Sequence, residues 1–122
     1  MELNEITEKI IGSAYEVSNT LGCGFLEKVY ENSMAKELKC QNLKVDQQKK
    51  ISVFYKNENV GEYYADLFVE DEVIVELKAI KQLTEIHEAQ LMNYLKSTKK
   101  KVGLLLNFGT TRIQIKRLVN NY

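Results

Sequence analysis

Asp66 and Glu76 stand ten positions apart, and Lys78 follows two residues after Glu76. Between the acids, residues 60–69 are rich in β-branched and aromatic side chains, and residues 73–78 are mostly β-branched and aliphatic. Both stretches therefore favour strands. The polar triplet Glu70-Asp71-Glu72 separates them as a hairpin loop. With that loop, Val69 pairs with Val73 and Asp66 falls opposite Glu76. Directly opposed residues carry Cβ atoms about 4.5–5.5 Å apart on one face. Two carboxylates so close repel unless a cation lies between them, and Lys78 joins the same face. Such a set suits a divalent metal with a cationic helper. The plainer reading is a solvated strand face with alternating charge, and a loop of two or four residues would break the opposition. Yet the run around Glu76 and Lys78 is otherwise Val, Ile, Leu and Ala, the texture of a strand buried on both faces. Charges there are costly unless paired or bound to an ion.

Two other groups could join that pair. Gln90 and Tyr94 are four apart on a helical stretch and share a face. Their plainer role is a core-edge tyrosine and a surface glutamine. Glu27, Tyr30 and Glu31 gather near a helix start, where the helix dipole alone favours acids. Gly24-Phe25 just before them makes a sharp corner, and such corners often aim a side chain into a site. His87, the only histidine, reads as an exposed polar residue.

The elements that must position these groups follow from hydrophobic period. Ile6, Ile10, Ala14, Val17 and Leu21 recur at helical spacing over residues 3–21, and Gly22-Cys23-Gly24 ends that helix. A second helix is expected over residues 26–41, with Leu26, Val29, Tyr30, Met34 and Leu38 facing inward. Residues 45–55 alternate as a strand, with Ile51, Val53 and Tyr55 on one side, and residues 56–59 form a turn. After the hairpin, residues 84–99 regain the helical period, with Ile86, Ala89, Leu91, Met92 and Leu95 as a broad apolar stripe. Thr84 is the expected N-cap. Strands over 102–108 and 112–119 close the chain, joined by Gly109-Thr110-Thr111. The connection from residue 79 to residue 102 is long enough for a parallel crossover. The expected fold class is α/β, a mixed central β-sheet flanked by helices, in a single domain over residues 1–122.

Composition limits the rest. Seventeen basic and seventeen acidic side chains cancel, so any pull toward nucleic acid must come from a local patch. No apolar run approaches the roughly 18 residues of a membrane span, and no charged-then-apolar signal opens the chain. The expected compartment is the cytoplasm, with Cys23 and Cys40 as reduced thiols.

Gly24-x-x-Glu27-x-x-Tyr30 resembles the motif that names the GxxExxY proteins, small members of the PD-(D/E)XK nuclease superfamily. Gln47, Tyr55, Gly61, Ala65-Asp66, Val75-Glu76-Leu77-Lys78-Ala79, Ala89-Gln90-x-x-x-Tyr94-Leu95 and the stretch 102–109 fall in that family's order. Ala65 stands where the family often has proline. The resemblance implies a restriction-endonuclease-like αβββαβ core, here with an extra N-terminal helix and a C-terminal strand. It implies a metal-dependent nuclease that hydrolyses phosphodiester bonds, with Mg²⁺, or Mn²⁺ in its place. Asp66 and Glu76 would be metal ligands with the Leu77 carbonyl, Glu27 the helical acid supporting them, and Lys78 the catalytic lysine. Gln90 and Tyr94 match an element that orients the lysine and the phosphate in some branches. The implied partner is nucleic acid, DNA ahead of RNA, with a homodimer or a larger protein partner left open. Two alternatives stand beside this reading. One is a catalytically silent module that binds nucleic acid or protein, favoured by the absent net charge. The other is a satisfied ion-pair cluster with no chemistry.

Overall fold

A computed structural model describes residues 1–121. Helices α1 (Leu3–Leu21) and α2 (Glu27–Cys40) precede strands β1 (Val45–Tyr55), β2 (Glu58–Val69) and β3 (Val73–Lys78). Helix α3 (Glu85–Thr98) then leads to β4 (Val102–Asn107) and β5 (Gln114–Val119). The five strands lie in sequence order in one sheet, antiparallel except for the parallel pair β3–β4 that α3 connects. Element order, the mixed sheet and the parallel crossover are as the sequence pattern predicts.

Two apolar layers hold helices to the sheet. On one face, Ile6, Ile10, Ala14 and Val17 of α1 and Tyr30, Met34 and Leu38 of α2 pack with Leu67, Val69, Val73, Val75 and Leu77. On the other, Leu91, Tyr94 and Leu95 of α3 pack with Ile51, Ala65, Phe68, Ile74 and Leu105. Covered by both layers, β3 is buried along nearly its whole length. Among the described residues no helix is long and apolar enough to cross a membrane, and Cys23 and Cys40 are free and exposed.

Several expected core positions are exposed instead. Leu26 is 80% exposed because its backbone is extended and α2 begins only at Glu27, which takes it out of helical phase with Tyr30. Val29 lies off the buried face set by Tyr30, Met34 and Leu38. On α3 the buried stripe is Leu91, Tyr94 and Leu95, while Ile86 and Ala89 face a groove toward Val53 and Tyr63. Ile51 is buried, but Tyr55 is exposed, because the outer half of the β1–β2 hairpin pairs only with itself. Strand β4 stops at Asn107 and β5 starts at Gln114, two residues inside the expected start. Thr84 does cap α3, and His87 helps by accepting the Thr84 N–H on Nδ1 at 3.0 Å.

The β1–β2 pair also reverses its faces part-way along. Ala65 and Leu67 are two apart in β2 and should share a face, yet they belong to opposite apolar layers. Opposite this point in β1, Gln48 has a left-handed backbone, φ +53. A single residue there turns the strand over.

The loop after β3 lies tight against the loop after β4. Phe108 N–H donates to the Lys78 carbonyl at 2.8 Å. A Cβ on Gly109 would overlap the backbone N and O of Ile80 and sit 2.6 Å from the Ala79 carbonyl carbon. Neither neighbour is a flexible side chain, so the backbone itself must shift. Gly109→Ala should therefore lower unfolding free energy by about 1–3 kcal/mol, read by urea denaturation. An unchanged midpoint would show that the two loops are free to separate.

Candidate active site

The β2–β3 hairpin opens where its two acids meet. Its ladder runs Val69↔Val73, Phe68↔Ile74 and Leu67↔Val75. At the next step side chains replace backbone partners. Asp66 N–H donates to Glu76 Oε2 at 2.7 Å, and Leu77 N–H donates to Asp66 Oδ2 at 2.8 Å. Each acid bonds the other's strand, so the two carboxyl groups are held together as the strands part. Glu76 is buried and Asp66 half-buried.

The corner between α1 and α2 brings in a third acid. Gly24 has φ +115, a conformation that side chains with a Cβ rarely take. The buried Tyr30 donates its O–H to the Gly22 carbonyl at 2.6 Å and accepts the Phe25 N–H at 3.2 Å. Its ring stacks on Phe108 with centroids 4.7 Å apart. Tyr30 is thus a pin for the corner rather than a chemical group. Glu27, the first residue of α2, lies beside Lys78, Asp66, Glu31 and the Ala79 amide.

Lys78 ends β3 opposite Asn107 in the parallel ladder. Asn107, fully buried, accepts the N–H groups of Ile80 and Gly109 on Oδ1, both at 3.0 Å. Its Nδ2 donates to the Ile80 carbonyl at 3.0 Å and to Gln114 Oε1 at 2.8 Å. This one amide clamps the chain just beyond Lys78. From the other layer, Tyr94 lies within electrostatic reach of Glu76 and Asp66, its ring 5.5 Å from that of Tyr63.

This geometry has a family. Residues 4–118 match the model of the PD-(D/E)XK nuclease superfamily. The chain belongs to that superfamily. Among solved structures it resembles the crystal structure of SSO0001, with a TM-score of 0.57 and 18% identity. That match covers 98% of this chain and 59% of the other, so this chain spans about three fifths of its length. At such identity the likeness shows the fold alone, here restriction-endonuclease-like. Among curated proteins, none matches this sequence.

The sequence-predicted residues separate into two groups. Glu27, Asp66, Glu76, Lys78 and Tyr94 come together. Gln90 does not join the carboxylates; it lines the groove of about 530 Å³ with Tyr63, Tyr94, Asn93 and Lys96. Sequence reasoning missed Gln48 and Asn107, and grouped Glu31 with Glu27 without giving it a partner. Glu31 is 4% exposed and accepts hydrogen bonds from Lys28, Gln47 and Gln48. A buried acid one helical turn past Glu27 was the available signal. Asn107 offered another, as the polar end of an otherwise apolar strand.

Burial, then the Asp66 charge, pushes the Glu76 carboxyl from 4.5 to about 8, against the Asp66 N–H bond and Lys78. Burial also raises Asp66, opposed first by the Leu77 N–H bond. Burial raises Glu27 against the pull of Lys78. Tyr94 is pushed up to about 12 by burial and then by Glu76, which keeps its phenol neutral and a donor.

Among the described residues no three His, Cys, Asp or Glu side chains form a ready-made cation cage. The donors that remain are carboxylate oxygens. Among the described residues Asp66 Oδ1 accepts only a 3.3 Å bond from Gln48, and Glu76 Oε1 accepts none. Hard oxygen donors in a crowded acidic pair fit a Mg²⁺-like ion that keeps several waters.

The Glu76 shift sets a sign for pH. The folded protein holds a proton that the unfolded chain releases above 4.5, so this stabilisation is complete below 4.5 and is lost as pH rises toward about 8. Without divalent ions, the thermal midpoint should fall across that window, and less steeply in Glu76→Gln. Parallel profiles for the two proteins would show that Glu76 is not the titrating group.

Proposed function

We propose that this chain is a divalent-metal-dependent nuclease of the GxxExxY branch, hydrolysing phosphodiester bonds in nucleic acid, DNA ahead of RNA. The observation that carries the reading is the reciprocal Asp66–Glu76 pair with Lys78 at the end of the same strand. Two acids buried together would be poor packing unless a cation completes them. The Gly24, Glu27 and Tyr30 corner supports the branch, because each residue has a distinct job there: bend, acid and pin.

Asp66, Glu76 and the Leu77 carbonyl would hold Mg²⁺ or Mn²⁺, with Glu27 supporting from the rim. Such an ion, when bound, polarises the phosphate and lowers the pKa of a bound water. Lys78 then meets the negative charge that grows on the phosphate, a gain larger in the transition state than in the ground state. Asn107 and Phe108 fix the backbone from which Lys78 extends. The neutral Tyr94 phenol offers a hydrogen bond to a phosphate oxygen without adding charge. Gln90 and Lys96 line the groove that continues from Tyr94 and would guide the adjoining backbone. A local cation such as Lys96 stands in for the net positive charge that the chain lacks.

The test is cleavage of single- and double-stranded oligonucleotides with Mg²⁺ or Mn²⁺. Lys78→Ala should lower the rate about 10²–10³-fold with its circular dichroism spectrum unchanged. Glu76→Ala should remove metal-dependent cleavage altogether. Full activity in either variant contradicts the assignment.

A further inference from the structure

We infer that Gln48 is a positioning residue of this site, its amide fixing the Asp66 carboxylate against the buried Glu31. Among the described residues seven non-glycine positions have positive φ, and six of them lie in loops, turns or a helix cap. Gln48, at φ +53, is the one inside a strand. That conformation is uncommon for a non-glycine residue, and strain of this kind gathers at functional sites.

The strained backbone has a definite effect. Successive strand residues ordinarily point to opposite faces, yet Gln47 and Gln48 reach the same carboxylate. Gln47 Nε2 donates to Glu31 Oε2 at 2.7 Å, and Gln48 Nε2 donates to Glu31 Oε1 at 2.8 Å. Gln48 Nε2 also donates to Asp66 Oδ1 at 3.3 Å. Leu77 N–H already holds the other oxygen, Oδ2. The two donors together set the plane of the Asp66 carboxylate. Glu31, held also by Lys28 at 3.0 Å, anchors the glutamine that does this. Glycine could take the same backbone conformation without steric cost. What glutamine adds is the amide.

The metal-binding arm of the test rests on the proposed nuclease reading; the amide-exchange arm does not. In metal-free protein, Gln48→Gly should speed exchange of the Leu77 N–H about tenfold while Val75 in the β2–β3 ladder is unaffected. The thermal midpoint should shift little, because relief of the backbone strain offsets the lost amide bonds to Glu31 and Asp66. Mn²⁺ affinity by calorimetry should fall about 10–100-fold, as for other outer partners of metal ligands. Gln48→Asn tolerates the same backbone but is one methylene too short, so it should behave like the glycine variant. Unchanged Leu77 protection in both variants overturns the inference. So does a uniform loss of protection with a lowered midpoint, which would mark Gln48 as merely structural. Faster Leu77 exchange in a protein whose wild type binds no Mn²⁺ supports the role of Gln48 and sinks the nuclease reading instead.

Discussion

Where β2 and β3 part, two backbone N–H groups go to carboxylates rather than to a strand partner. Asp66 N–H is held by Glu76, and Leu77 N–H by Asp66. The exchange lets β2 and β3 part without leaving either group unsatisfied, which a buried sheet cannot tolerate. It also forces two acids together in a place poor in water. Their mutual repulsion is what pushes Glu76 upward beyond the effect of burial. The rest of the molecule either supports that crowding or relieves it.

Support comes from three directions. The outer half of β2 turns its face over at Asp66, opposite the left-handed Gln48 of β1. The α1–α2 corner, pinned by Tyr30 to Gly22 and stacked on Phe108, brings Glu27 over the end of β3. Beyond Lys78, the buried Asn107 amide ties the departing chain to β4 and β5. Relief comes from Lys78 and from a neutral donor, the Gln48 amide, which adds a hydrogen bond to Asp66 without adding negative charge.

Some of this was legible in the residues. Three polar residues between two β-rich runs set the hairpin register, and register alone brought Asp66 opposite Glu76. An apolar run interrupted by Glu76 and Lys78 pointed to charges inside a doubly covered strand. Glu27 was legible from the corner that precedes it. Gln48 was not, because alternation assumes each residue continues the pleat, and one left-handed residue defeats that assumption locally. Ile51, Val53 and Tyr55 did not form one buried face for a different reason: the outer half of the hairpin projects beyond the helices that would cover it. Ile86 and Leu26 show the companion failure for helices. Apolar type at helical spacing says nothing about whether a neighbour reaches that turn.

The central claim is that the Asp66–Glu76 pair is completed by a divalent cation. Calorimetric titration of Mn²⁺ at pH 7, repeated in buffers of differing ionisation heat, reads binding and proton release together. With Glu76 near 8, binding should occur at one site and displace about one proton, because the carboxylate must ionise to ligate. Both the binding and the proton should disappear in Glu76→Gln. Binding of equal strength in that variant, or binding without proton release, would contradict the account.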